Sequence, residues 1–460
     1  MAKVNNLGED NMKSLVLRLA LPSMLAQFVN VLYGIIDRMY IGNLPQVGEV
    51  ALAGVGVCGP LMTLISSFAS LIGIGGSPLL AIRLGEKNQK GAEAILANCF
   101  VMLLGLSAAL TAFFLALKGP LLMTFGASSV TFPYANSYMT IYTLGTVFAI
   151  LSVGLNAFII CQGFSALGML TVVIGAGMNI ILDPILMFKL NMGVNGAAVA
   201  TVLSQATSTL FVLWVLLGKR VPVRITFGGY SLKIMKRVVT FGFSPFIIIA
   251  TDSILIIALN YVLQKYGGPS QGDMLITCST VVQSYMQLIT MPMGGITGGT
   301  QAILSYNYGA KKVDRIRQGE KYILATCVIF CAVMFAISQI APQYFAGIFT
   351  QDPEYIKTSV WGIKVFTFCI IPLAFQYTFV DGLTALGIAK VAVSLSLFRK
   401  ISFLALTLLL PAWFGATAAF FAEPAVDLIA GVTSTTVFCL LINKLLEQRE
   451  QMPDDEALYS

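Results

Sequence analysis

The sequence predicts an all-α polytopic membrane protein, with twelve transmembrane helices in two parallel six-helix repeats. Three observations carry this. Of 460 residues, 57% are hydrophobic and only 11% charged; soluble domains carry about 25% charged residues. Too little polar surface remains to cover one water-soluble globule. Apolar runs near the roughly 20 residues needed to cross a bilayer occur twelve times. Short motifs of the first half return in the second at a nearly constant spacing.

In order, residues 1–18 form a polar cytosolic lead-in. The apolar runs then fall at 19–41, 51–82, 93–117, 133–161, 168–189 and 194–217. The second set falls at 238–263, 274–306, 321–345, 359–387, 391–410 and 413–443. They are expected to be helices, because an open sheet edge cannot face lipid. The long second, eighth and tenth runs should tilt, kink or protrude. This divides the chain into a lobe at 19–217, a basic linker at 218–237, a lobe at 238–443 and a solvated tail at 444–460. The first run is too long for the apolar core of a cleavable signal and is expected to stay as an anchor.

Basic residues set the expected orientation. Arg83, Lys87 and Lys90 follow the second run, Lys219 to Arg237 follow the sixth, and Lys311 to Lys321 follow the eighth. Loops on the opposite side carry almost none, so the basic loops and both termini should be cytoplasmic. The net charge of +7 reflects these loops, and no nucleic-acid partner is expected. The eight cysteines lie in apolar runs without metal spacing, and there is no histidine. Proton chemistry would therefore fall to carboxylates.

The repeat pairs Pro22 with Pro245 and Asp37 with Asn260, 223 residues apart. Gly75 and Gly85 match Gly299 and Gly309 at 224. The segment GFSALGM at 163–169 matches GLTALGI at 382–388 at 219, which sets Gln162 opposite Asp381 and Asp183 opposite Ser402. Six spans per half make the repeats parallel.

The chemistry rests on acids inside spans. A carboxylate near mid-membrane costs about 2.5–3.5 kcal/mol on insertion scales and marks function by default. Asp37 lies in the first span and Asp183 in the fifth, both in the expected outer half. Asn179 precedes Asp183 by one turn on the same face. Pro184 follows and frees a carbonyl one turn back. One proton or one Na⁺ would relieve both desolvation and mutual repulsion of the pair. The plainer alternative pairs Asp37 with Arg38 and leaves Asp183 at a kink. Gln27, Asn30, Tyr142 and Asn156 are further polar groups in this half. In the second half the acids are Asp252, Asp381, Glu423 and Asp427. A structural pair of Arg399 with Glu423 or Asp381 is the favoured reading there; the sharper one has an acid attracting a cationic substrate. The polar step Val282-Gln283 is a further cavity candidate.

Several segments resemble the multidrug and toxic compound extrusion (MATE) family: ALPSMLAQFVNVLYGIIDRMYIG at 20–42, GIGGSPLLAIRLGEKN at 73–88 and GAGMNIILDPILMF at 175–188. CQGFSALGM at 161–169, GVNGAAVAT at 193–201 and QAILSYNYGAKKVDRI at 301–316 add to these. The resemblance implies two six-helix lobes and antiport of H⁺ or Na⁺ against amphiphilic organic cations, with no cofactor and no enzyme activity. It places coupling residues at Asp37, Asn179 and Asp183, with Asn156 and Thr201 beside them. It implies a monomer in a bacterial cell membrane. Alternatives are a flippase for lipid-linked saccharides from the same wider superfamily, and a non-transport scaffold.

Overall fold

The computed structural model describes residues 5–45, 47–125, 127, 129–349 and 352–451; the end of the expected tail lies outside them. Among the described residues there are helices and no strands. The first half holds α1 (Met12–Gly42), α2 (Gly48–Gly85), α3 (Gln89–Thr124), α4 (Phe132–Leu144), α5 (Thr146–Ile160), α6 (Ser165–Pro184) and α7 (Gly193–Leu217). The second half holds α8 (Leu232–Gly309), α9 (Val313–Ile340), α10 (Pro342–Phe349), α11 (Pro353–Phe366), α12 (Ile370–Ala385), α13 (Ala389–Phe414) and α14 (Ala422–Gln451).

Eleven of the twelve expected spans return as helices or bent helix pairs long and apolar enough to cross a membrane, with different ends, and the eighth is the second limb of α8. Helix α8 is two limbs that meet at Gly268, whose φ of 64° and ψ of −168° are not helical. Helices α4 and α5 form one span bent by 57°, and α11 and α12 one bent by 49°. The second bend has a clear cause. Pro372 has no N–H to give the carbonyl one turn earlier, so the helix breaks just before it. Helix α1 begins seven residues before the apolar run, because Asn11 accepts the Ser14 N–H at 3.3 Å and caps it. The ninth run, expected as one helix, ends at Ile340 and restarts at Pro342.

The chain forms two compact units. Unit 1 contains Leu25–Ile249, and unit 2 contains Gly8–Met24 and everything from Ala250 onward. Helices α1 and the first limb of α8 therefore each begin in one unit and finish in the other. Glycines admit these shared rods. In unit 1 a Cβ on Gly75 would meet the Gly242 backbone at 2.7 Å. In unit 2 a Cβ on Gly299 would meet the Leu19 carbonyl at 3.0 Å. Gly75 and Gly299 are repeat mates, and so are Leu19 and Gly242.

Backbone geometry corrects one part of the repeat. Lys87 (φ 61°) and Lys311 (φ 56°) mark the same turn, 224 residues apart (311 − 87). Gly163 (φ 89°) and Gly387 (φ 83°) mark another, again 224 apart (387 − 163). The amide after each glycine closes the same bond, Phe164 N–H to Ile159 C=O and Ile388 N–H to Leu383 C=O. The Gly-x-x-Ala-Leu-Gly motif thus slides by five residues between halves. Its first glycine takes the left-handed turn in one copy and its last glycine in the other. Asp381 is not the mate of Gln162, and Asp183 falls opposite Thr407 rather than Ser402.

The linker is strapped to unit 1. Gln162 donates to the Val223 carbonyl at 3.2 Å and accepts the Val223 N–H at 2.7 Å. Asn98 donates to the Gly229 carbonyl and accepts the Ser231 N–H. In unit 2, the buried Arg449 donates to the Tyr308 and Gly309 carbonyls at 3.0 and 3.1 Å. Those are orphan groups at the end of a helix that a cation suits.

Candidate functional site

Unit 1 gathers polar side chains from four helices around two acids. Asp37 comes from α1 and Asp183 from α6, and their carboxyls are neighbours. Asp183 is fully buried and Asn179, one turn back, is 1% exposed. The helix places both on one face because positions i and i+4 align. Pro184 ends α6, and the backbone continues through a π-turn at Ile185–Lys189. Asn179 donates to Thr201 Oγ1 on α7 at 3.5 Å. Tyr33 and Tyr138 lie near the Thr201 hydroxyl. Tyr142 on α4 lies near Gln205 on α7.

What distinguishes this cluster is its surplus of acceptors. Asp37 Oδ1, both Asp183 oxygens, Asn179 Oδ1 and Gln205 Oε1 are buried and have no hydrogen-bond donor. Buried acceptors are ordinarily paired. Five such oxygens from Asp37, Asn179, Asp183 and Gln205 suit a shared proton or a small cation. Arg38 is exposed and forms no ion pair with Asp37 among the described residues. The plainer pairing is therefore not what the fold builds.

Other expected site residues lie elsewhere. Asn156 donates to the Gly168 carbonyl at 3.3 Å. That point is fifteen residues before Asp183, roughly 22 Å along the helix. Gln27 and Asn30 precede Asp37 by ten and seven residues, about 15 and 10 Å along α1; Gln27 is half-buried and Asn30 exposed. Position 282 is Val282, buried at 1%. Its neighbour Gln283 donates to Ser279 within the same helix.

Unit 2 carries the remaining acids. Arg399 on α13 donates to Glu423 at 2.6 Å and to Asp427 at 2.8 and 3.2 Å. The structural pairing expected for Arg399 is present, with Asp427 as second partner and without Asp381. Asp381 accepts instead from the Thr297 hydroxyl at 2.5 Å. Lys400 pairs with Asp252. Sequence reasoning missed Glu320, which sits beside basic residues and reads as part of a solvated loop. It is 7% exposed, its Oε1 has no donor, and it fills the notch left by Gly382. It also missed Tyr33 and Tyr138. Tyr33 could have been found by its position one turn before Asp37.

Helical rods that cross a bilayer around buried carboxylates define a multi-pass membrane transporter. The MatE family model matches residues 22–185 and 249–409. The chain belongs to this family, the multidrug and toxic compound extrusion (MATE) transporters, which are not enzymes. It is 22% identical over 452 residues to the multidrug export protein MepA of Staphylococcus haemolyticus, covering 97% of this chain and 98% of that protein. It is 22% identical over 434 residues to MepA of Staphylococcus aureus, covering 94% of each. Its fold superposes with a TM-score of 0.90 on a solved structure described as the outward-facing conformation of a multidrug resistance MATE family transporter of the MOP superfamily. That match has 23% identity and covers 97% of this chain and 99% of that one.

Proposed function

We propose that the protein is a secondary antiporter that exports amphiphilic organic cations in exchange for H⁺ or Na⁺. The observation that carries this reading is the Asp37–Asp183 contact with its surplus of buried acceptors. With both acids ionised, the site attracts positive charge. Entry of a proton or Na⁺ gives the free oxygens a partner and removes the repulsion between the two adjacent carboxylates. That changes how α1 and α6 pack. A transporter alternates when its two states bind the ion and the substrate with different affinity. The names of the MepA relatives support multidrug export as the cargo class. The staphylococcal relatives support a bacterial cell membrane, and the basic loops support cytoplasmic termini; we take the transporting unit to be a monomer.

The test is dye efflux from proteoliposomes under an imposed pH or Na⁺ gradient. Wild type should export the dye only with a gradient. Asp37→Asn and Asp183→Asn should each lose at least tenfold in gradient-driven rate. Full efflux in both variants would refute the assignment.

A further inference from the structure

Within unit 2, Lys400 on α13 and Asp252 on the first limb of α8 form an ion pair, where a transporter of cations would be expected to leave a carboxylate open. The two partners are unlike in access. The Lys400 side chain is 11% exposed and that of Asp252 is 48% exposed. Lys400 donates to one carboxylate oxygen of Asp252, Oδ1. An acid at this depth cannot turn its open side to hydrocarbon without the cost that makes such residues rare, so that side faces a water-filled space.

The charge count of the surroundings is uneven. Lys400 follows Arg399 on α13, and Arg399 is held by Glu423 and Asp427. Arg399 therefore serves two acids, Glu423 and Asp427, while Lys400 serves Asp252 alone. Asp427 Oδ2 is buried and has no donor. Tyr377 lies near Arg399, Asp252, Asp381 and Asp427 and offers an aromatic ring there.

We infer that Lys400 is a built-in competitor for the exported cation: a monovalent organic cation binds Asp252 by displacing the lysine ammonium. This rests on the proposed export of organic cations. Arg399, the residue before it on α13, holds two acids of α14, Glu423 and Asp427, with a single positive charge. When the lysine returns to Asp252, it expels the cargo. A tethered group competes at a high effective concentration, so affinity for cargo is held down and release is kept fast. A cation that binds only when the pair is open binds more weakly by the fraction of time the pair is closed.

The experiment measures the concentration dependence of gradient-driven efflux for a monovalent aromatic cation such as ethidium, in proteoliposomes. Lys400→Gln should lower KM at least fivefold and lower the maximal rate, because release loses its competitor. Lys400→Arg, whose planar fork grips a carboxylate in two places, should raise KM. This opposed order is not what simple damage produces. An unchanged or raised KM in Lys400→Gln, or a lowered KM in Lys400→Arg, overturns the inference. If Lys400→Gln fails to fold, the Lys400→Arg arm decides alone. Absence of gradient-driven efflux in wild type would instead remove the transport reading beneath it.

Discussion

Arg399 grips Asp427 with two of its nitrogens, Nη2 at 2.8 Å and Nε at 3.2 Å, while Nη2 also reaches Glu423 at 2.6 Å. Asp427 is fully buried and Arg399 and Glu423 side chains are 12% exposed. Breaking a buried ion pair from one side is costly because a charge is left behind, about 3–5 kcal/mol. Arg399→Met should therefore sharply reduce the detergent melting temperature or prevent purification. Adding Glu423→Gln and Asp427→Asn to the same chain should recover most of the loss. Melting curves of the single and triple variants check this, and a triple variant as unstable as the single would refute it.

The strap between Gln162 and Val223 fixes the linker to the unit that precedes it. Gln162→Ala removes both side-chain bonds and leaves the buried Val223 groups to find other partners. A lost partner of this kind costs about 1–3 kcal/mol. The expected readout is faster protease cleavage between 218 and 231, with gradient-driven efflux largely kept. Unchanged cleavage would show that the strap does not hold the linker.

Gly242 packs its backbone directly on the Leu71 carbonyl, where a Cβ would have no room. Gly242→Val should force α2 and α8 apart at a cost of at least about 1–3 kcal/mol, the usual range for overpacking. Gly299→Val should act likewise against Leu19 and Ser23. Size-exclusion profiles and melting temperatures of both variants are the measurement, and wild-type behaviour in either removes the close-packing argument.

Glu320 presents a different balance. Its carboxyl is buried and Oε1 has no donor. Glu320→Gln keeps the shape and removes the charge, so the melting temperature should hold or rise. Gly382→Ala should lower it, because the added methyl meets the Glu320 carboxyl. A marked loss of stability in Glu320→Gln would mean that the charge itself is needed.

Much of this was readable from residue types. Spans announce themselves because lipid tolerates only apolar helices, and Asp37, Asn179 and Asp183 stand out against that background. Their partners did not. Tyr33 and Tyr138 look like ordinary membrane aromatics until three dimensions bring them to Thr201. Helix bends at Gly145 and ahead of Pro372 divide spans that look continuous in hydropathy. The repeat register failed at Gly163 and Gly387 for a different reason. Letter identity followed the motif, while the backbone followed whichever glycine adopts positive φ. Glu320 was hidden by its neighbours: five basic residues between Lys311 and Lys321 read as a wet loop, although α9 carries the acid inward.

The sharing of α1 and α8 between the two units has a consequence for dissection. Cutting the gene at the linker would give two fragments, each retaining half a rod that belongs to its counterpart. Neither should behave as a free-standing piece, since each would expose a glycine-lined slot and a dangling helix end. Produced together, the fragments can fill one another's slots, so severing the peptide bond need not sever the protein.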